Sequence, residues 1–209
     1  MSEQTRAARL AASWLLWYPD DALAGRLPDI RAAVAGLPAE TREPLSRVVA
    51  WLDEVGFESA RLHYVDTFDM RRRTALYLSY WTDGDTRNRG YAILRFKQAY
   101  LASGFELGDE ELPDHLAVVL EFAAMGNSLT GDALLVENRV GIGLMRAALD
   151  KVRSPYVNVI NAVLATLPPM TAEIAQRMAD LAKNGPPQES VGLDPFPINA
   201  ALEAQGGRR

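Results

Sequence analysis

Aromatic and acidic residues concentrate in two stretches of the sequence, residues 64–81 and residues 114–121. The aromatic members are Tyr64, Phe68, Tyr77, Tyr80 and Trp81, and the polar members are Asp66, Asp69, Asp114, His115 and Glu121. Aromatic rings offer large apolar contact areas, and carboxylates at the edge of such an area favour a basic partner. This combination is typical of a surface that binds another polypeptide.

The acidic residues and His115 also permit a catalytic interpretation. Asp114 and Glu121 are seven positions apart, so on one helix they would lie on the same side, two turns apart. Either carboxylate beside His115 could form a general base that acts on a small molecule. Alternatively, Asp114 only stabilises the first turn of a helix and His115 is a partly buried side chain. The residues alone leave these alternatives open.

A basic run, Arg71 to Arg73, follows the first acidic residues closely. On a continuous helix, Asp69 would meet Arg72 and Arg73 at spacings of three and four residues, where side chains are neighbours. We therefore predict a solvated basic patch that pairs with Asp66 and Asp69 in one local ion-pair network.

Motifs that would carry out catalysis are missing from the sequence. There is no cysteine, which excludes disulfides, thiolate zinc sites and cysteine nucleophiles, and His63 and His115 have no second histidine at a ligand spacing. Residues 126–131 are one residue too long for a nucleophile elbow, and Gly141 and Gly143 lack the third glycine of a dinucleotide-binding loop. We therefore predict that the protein is not an enzyme and binds no metal or cofactor.

Charge and hydropathy restrict the partners and the location. The formal net charge of −5 opposes a phosphate backbone, so we expect no nucleic-acid partner. The apolar run 10–18 follows Arg6 and Arg9 as in a signal peptide, but Asp20 and Asp21 crowd the supposed cleavage site and the run has helical spacing. No stretch approaches the roughly 18 apolar residues of a membrane span. We predict a soluble, cytoplasmic protein without membrane insertion.

Apolar residues recur with a period near 3.6 between punctuating Pro and Gly residues, which predicts an all-α fold, a single bundle of many helices. The predicted helices cover roughly residues 5–18, 20–36 with a break at Pro28, 43–55, 59–81, 86–103, 113–125, 132–152, 155–167 and 171–183. Residues 1–185 would form one helical domain and residues 186–209 a flexible tail containing Pro and Gly. Gly141 and Gly143, inside one predicted helix, suggest a close helix crossing.

Two details of this prediction decide where the candidate residues lie. Residues 74–81 are rich in strand-forming types, but the sequence offers no convincing partner strand, so we assign 59–81 to a helix. Pro113 suits the first position of the helix 113–125, which would place Asp114 in its first turn.

Three ordered sequence blocks together resemble the NarJ-type assembly chaperones of respiratory nitrate reductase. The blocks are YVDTFD with RRR and LYL in residues 64–78, GDTRNRG in residues 84–90, and LPDHL with LEF in residues 112–122. The form Pro113-Asp114-His115 is common in the wider family of molybdoenzyme chaperones, whereas nitrate-type members often carry an aromatic residue at position 115. The second block favours the nitrate branch.

The resemblance implies a non-catalytic helical chaperone whose partner is the apo catalytic subunit of a molybdenum-containing nitrate reductase. Such a protein binds the N-terminal segment of that subunit in the cytoplasm and assists insertion of the molybdenum cofactor before membrane docking, with possible transient contact to cofactor-delivery proteins. A chaperone for another molybdoenzyme and a helical regulator or scaffold are the alternatives. The residues expected to contact the client are Tyr64, Asp66, Phe68, Asp69, Arg73, Tyr77, Asp114, His115 and Glu121.

Overall fold

The computed structural model describes residues 1–108 and 111–184. Within them lie ten α-helices: α1 (Glu3–Leu16), α2 (Asp21–Ala35), α3 (Ala39–Tyr64), α4 (Leu78–Asp83), α5 (Arg87–Ala102), α6 (Leu116–Met125), α7 (Ser128–Glu137), α8 (Arg139–Lys151), α9 (Val157–Ala165) and α10 (Ala172–Asn184). A π-helical turn (Val65–Asp69) and a 3₁₀ turn (Arg72–Thr74) connect α3 to α4. The all-α prediction is confirmed. The predicted tail 186–209 and the domain boundary at 185 lie outside the described residues.

Helix α6 forms the centre of the bundle. Its residues are buried on every side except at Glu121 and Met125, because it is apolar almost throughout. Helices α1 and α7 pack directly against it, and α3, α8 and α9 complete the surrounding layer through their contacts with one another and with α1. None of the described helices is both long and apolar enough to cross a membrane.

Several predicted helix boundaries are wrong for local reasons. Pro28 does not interrupt α2, and its ring lies on the exposed side of the helix. At Gly56, φ is +73°, which ends one helical stretch, yet the next begins immediately, so α3 continues through a kink to Tyr64. The predicted helix 132–152 is divided into α7 and α8 at Asn138, whose side-chain amide donates to the carbonyl oxygen of Leu134.

The helix predicted over residues 59–81 is also wrong, because its C-terminal part forms a short extended pairing. The backbone N–H of Leu78 donates to the carbonyl oxygen of Asp114 (2.9 Å), and that of Leu116 donates to the carbonyl oxygen of Leu76 (2.8 Å). Tyr77 and His115 thus face each other in an antiparallel bridge. Residues 114–116 are used in this contact, so α6 begins at Leu116 and not at Pro113.

The glycines of α8 lie where neighbouring helices approach closely, as predicted. A Cβ atom at Gly141 would stand 2.8 Å from the Cβ of Trp81 in α4, and one at Gly143 would stand 2.5 Å from the sulfur of Met178 in α10. A side chain at position 141 would press on the Cβ of Trp81 and push α4 away, whereas one at position 143 would have to displace the flexible Met178 side chain. The two glycines therefore allow α8 to pack between α4 and α10.

Candidate functional site

A surface cleft of about 270 Å³ lies where four separate parts of the chain meet. We call it the aromatic cleft, and its lining residues are Trp17, Tyr18, Tyr64, Phe68, Asp69, Leu76, Tyr77, Glu111 and His115. Five of these were candidates from the sequence: Tyr64, Phe68, Asp69, Tyr77 and His115. The structure therefore brings the two candidate stretches together around one concave surface.

The outer wall of the aromatic cleft comes from the end of α1. Pro19 disfavours helical geometry for the residue before it, and the backbone is already extended at Trp17 (φ −74°, ψ 159°). The rings of Trp17 and Tyr18 therefore leave the helix and stand over the cleft. Trp17 stacks on His115 with ring centroids 5.4 Å apart, and Tyr18 meets Tyr64 edge to face at 5.5 Å.

The floor of the aromatic cleft is formed by Tyr64 and Phe68, which are both buried. The Tyr64 hydroxyl donates to the carbonyl oxygen of Leu16 (3.0 Å) and so satisfies one of the free carbonyls at the end of α1. Burial raises the pKa of Tyr64 well above its ordinary value. Phe68 packs against Tyr64 and Tyr156, with centroids 4.8 and 5.0 Å away. These rings expose only small areas to a ligand, and whether they contact a client stays a prediction.

The π-helical turn directs Phe68 inward and Asp69 toward the opening. The turn is closed by the hydrogen bond from the N–H of Met70 to the carbonyl oxygen of Val65 (3.0 Å). This bond joins residues that are further apart in the sequence than those joined in an α-helix, as is typical of a π-helix. Such turns are rare and occur frequently at functional sites. The Thr74 hydroxyl donates to the Thr67 carbonyl oxygen, which holds the following 3₁₀ turn against it.

Tyr77 separates the aromatic cleft from the neighbouring surface. Its hydroxyl donates to Glu111 Oε1 (3.1 Å), its ring meets His115 edge to face at 5.4 Å, and the Arg89 guanidinium lies 5.5 Å over its ring. Burial, together with the nearby Glu111 carboxylate, raises the pKa of Tyr77 to about 12. The tyrosine is therefore a neutral hydrogen-bond donor at physiological pH.

His115 is a buried, neutral wall residue and also the N-cap of α6. Its Nδ1 accepts the backbone N–H of Ala117 (3.3 Å), which places the ring proton of the neutral form on Nε2. Burial lowers the pKa of His115 to about 4, against the smaller opposing effect of the Glu111 carboxylate. His115 does not hydrogen-bond to Asp114, so the pair predicted as one possible general base is not assembled.

We expect His115→Asn to remove part of the acid sensitivity of the fold. Between pH 6.5 and about 4 the unfolded chain binds a proton at His115 that the folded chain does not, so stability falls as the pH falls through this range. The asparagine oxygen can still cap α6 but cannot titrate. Urea unfolding at stepped pH should show the wild type losing up to about 3 kcal/mol more than the variant over that interval. Parallel pH profiles for the two proteins would contradict the assignment.

Asp114 is fully buried beside the aromatic cleft and does not line it. Its Oδ2 accepts hydrogen bonds from the Ser79 hydroxyl (2.5 Å) and the Ser79 backbone N–H (3.2 Å), which fixes the first turn of α4. Burial raises the pKa of Asp114, whereas the Ser79 hydrogen bonds and the Arg89 charge oppose that rise. The expectation that Asp114 occupies the first turn of α6 is wrong, because the carboxylate instead stabilises α4.

The remaining predicted residues lie outside the lining of the aromatic cleft. Asp66 is exposed and paired with Arg71 (2.9 Å), Arg73 is exposed, and Glu121 is partly exposed on α6. The predicted pairing of the basic run with Asp66 is thus confirmed through Arg71. The predicted pairing of Asp69 with Arg72 and Arg73 is wrong, because the chain leaves α-helical geometry at the π-turn and the three-and-four spacing no longer applies. Arg72 pairs instead with Asp85 (3.2 Å). Whether Asp66, Arg73 and Glu121 contact a client stays a prediction.

Sequence reasoning missed Trp17, Tyr18, Leu76 and Glu111 as lining residues of the cleft. Trp17 and Tyr18 lie about 46 positions before Tyr64, and their spacing within the first helix indicated only an amphipathic face. The available signal was Pro19, because a helix that stops at two aromatic residues presents them at its end. Glu111 gave no signal beyond its position next to the third sequence block.

The three sequence blocks, which are separated along the chain, meet around Tyr77. The first block supplies Tyr77 itself, the third supplies its bridge partner His115, and the second supplies Arg89. Arg89 Nε donates to the Ser79 hydroxyl (3.3 Å), which in turn donates to Asp114. Within residues 1–108 and 111–184, no three His, Asp or Glu side chains are grouped as metal ligands.

Comparison of folds gives the class of protein. The structure resembles that of a redox enzyme maturation protein from Archaeoglobus fulgidus, with a TM-score of 0.58 over 77% of this chain and 91% of that one. At 23% sequence identity this likeness establishes the shared fold. The fold that the two proteins share is an all-helical bundle.

Sequence comparison gives the family. Residues 34–162 match the nitrate reductase delta subunit family, and the chain belongs to it. It is 30% identical over 181 residues to the nitrate reductase molybdenum cofactor assembly chaperone NarJ of Escherichia coli K12, covering 84% of this chain and 77% of that one. It is also 41% identical over 155 residues to the nitrate reductase-like protein NarX of Mycobacterium tuberculosis, covering 74% of this chain. That match spans only 23% of NarX.

Proposed function

We propose that this protein is a non-catalytic assembly chaperone for a respiratory nitrate reductase. It binds the N-terminal segment of the apo catalytic subunit in the cytoplasm, while the molybdenum cofactor is inserted and before the enzyme docks on its membrane anchor. Family membership and the name of its NarJ relative support the chaperone role. Transient contact with cofactor-delivery proteins belongs to the same proposal.

The observation that carries the proposal is the aromatic cleft, in which residues from two of the family-like sequence blocks form a concave surface with Trp17 and Tyr18. Tyr18 is 43% exposed and Trp17 partly exposed, so both rings remain available to a ligand. A client segment that folds as an amphipathic helix would place its apolar side chains against these rings. Asp69 and Glu111 at the cleft then favour a client with a basic residue beside its apolar anchors.

The catalytic alternative lacks support from the geometry. His115 uses Nδ1 to cap α6, and Asp114 uses its carboxylate to hold Ser79. Neither group is directed at the other, and Glu121 is not part of the cleft. A client other than nitrate reductase, from the wider group of molybdoenzymes, remains the second candidate because His115 departs from the residue type common in nitrate-type members.

Deletion of the gene tests the proposal. We expect the deletion strain, grown under nitrate respiration, to synthesise the nitrate reductase catalytic subunit in a form that is poor in molybdenum and inactive. The measurements are nitrate reduction by cell extracts, the molybdenum content of the purified subunit, and its co-purification with the tagged chaperone in the complemented strain. Normal activity and molybdenum content in a strain without a second chaperone would contradict the proposal. Co-purification of a different apo-molybdoenzyme would favour the second candidate.

A further inference from the structure

A second cavity, of about 220 Å³, lies on the other side of Tyr77. We call it the arginine pocket, and its lining residues are Arg72, Ala75, Tyr77, Tyr80, Asp85 and Arg89. Among the described residues, Tyr77 alone lines both the arginine pocket and the aromatic cleft. A single extended ligand that follows the surface past Tyr77 would therefore contact both.

The arginine pocket has an excess of positive charge. Asp85 faces two guanidinium groups, accepting a hydrogen bond from Arg72 (3.2 Å) and lying 3.7 Å from Arg89. One carboxylate cannot neutralise two cations or use all ten of their N–H donors. Arg72 is 84% exposed, so most of its donors face solvent. Arg89 is held in place by Ser79 and by the face of Tyr77.

The aromatic cleft has the opposite charge. Asp69 and Glu111 contribute carboxylates to it, and its remaining lining side chains are uncharged at neutral pH, because burial keeps His115 neutral. The two adjacent cavities therefore carry opposite net charges and are separated by the Tyr77 ring. The Tyr77 hydroxyl points to Glu111 on the acidic side, and its ring face supports Arg89 on the basic side.

We propose that the arginine pocket binds a carboxylate side chain of the same client segment whose apolar residues occupy the aromatic cleft. This inference rests on the proposed function and specifies the client: a helical segment with apolar anchors, a basic residue near Asp69 and Glu111, and an Asp or Glu near Arg72 and Arg89. On a helix the two charged residues would be roughly three to seven positions apart, which covers one to two turns. The planar guanidinium matches a carboxylate in shape and hydrogen bonding. The order of the two charges sets the direction of the client along the surface.

Titration of a synthetic peptide tests the inference. The probe is the N-terminal peptide of the nitrate reductase catalytic subunit from the same organism, with each of its Asp and Glu residues changed in turn to the amide. Each peptide is titrated calorimetrically into the wild type, Arg72→Glu and Arg47→Glu. Arg47 is a matched control, because it is 66% exposed on α3, lies 4.0 Å from a carboxylate and lines neither cavity.

We expect Arg72→Glu to weaken binding of the unchanged peptide about tenfold and Arg47→Glu to have little effect. One acidic position of the peptide should be coupled to Arg72, so that its amide weakens binding to the wild type but not to Arg72→Glu. A lysine at that position should restore binding to Arg72→Glu. Since Arg72 is exposed, the variant should keep the melting temperature of the wild type.

The outcomes separate this inference from the proposed function. If the wild type does not bind the peptide, both are overturned. If the wild type binds it and Trp17→Ala weakens the binding, but no acidic position is coupled to Arg72, the inference alone is overturned. Tight binding of a peptide that has no Asp or Glu would have the same meaning.

Discussion

Replacing Trp17 by alanine should weaken binding of the client's N-terminal peptide about 30-fold or more. Trp17 stands over the aromatic cleft, is partly exposed, and is stacked on His115, so a client that enters the cleft would bury its ring. Truncation of an aromatic residue at the centre of an interface typically costs about 2 kcal/mol or more, which corresponds to that factor. Calorimetric titration gives the dissociation constant, and Trp17→Phe should recover most of the affinity because it keeps an aromatic ring.

Trp51 offers a matched control for this substitution. It is also partly buried, but it packs on His63 and Tyr156 and does not line the aromatic cleft. Trp51→Ala should lower the melting temperature without changing the affinity of the folded protein. Equal losses of affinity in the two variants would show that the effect of Trp17 is structural. Unchanged affinity in Trp17→Ala would remove the aromatic cleft as the binding site.

Replacing Asp114 by alanine should lower the free energy of unfolding by about 3 kcal/mol. The carboxylate is fully buried, and its removal leaves the N–H and hydroxyl of Ser79 without acceptors, each at a cost of about 1–3 kcal/mol. The bridge between Tyr77 and His115 depends on the backbone of the same residue, so loosening of α4 would spread to the aromatic cleft. Urea unfolding at pH 7 measures the loss.

Asp114→Asn and Glu121→Gln separate the structural role of these acids from a direct contact with the client. Asparagine keeps one acceptor for Ser79, so its loss of stability should be clearly smaller than that of alanine. Because burial raises the pKa of Asp114, the folded chain keeps a proton on this carboxyl group to higher pH than the unfolded chain does. The stability due to this proton is complete at low pH and is lost as the pH rises through the raised pKa, a dependence that the asparagine variant should lack. Glu121→Gln should leave stability unchanged. If both neutral variants weaken peptide binding while the melting temperatures stay constant, these acids contact the client directly.

The sequence alone predicted the helical class, the lack of catalytic motifs and the family. Helical periodicity and the Pro and Gly residues that stop helices are local signals, and they located most helices to within a few residues. The close approach of α8 to its neighbours was also predicted, because Gly141 and Gly143 have a direct steric meaning wherever a helix carries them. Five lining residues of the aromatic cleft could be named because they lie inside sequence blocks that resemble one family.

Only the tertiary structure decided how those residues are used. The pairing of residues 76–78 with residues 114–116 depends on hydrogen bonds between segments nearly forty positions apart, and no local pattern specifies them. That pairing moves the start of α6 to Leu116, buries Asp114 under α4 and places His115 against Tyr77. Trp17 and Tyr18 join the site for a similar reason, because a ring at the end of α1 becomes part of a cleft only when α3 and the loop before α6 pack beside it. The local sequence determines the backbone preference and the polarity of each position. The packing of distant elements determines which residues an exposed ring or a buried carboxylate contacts.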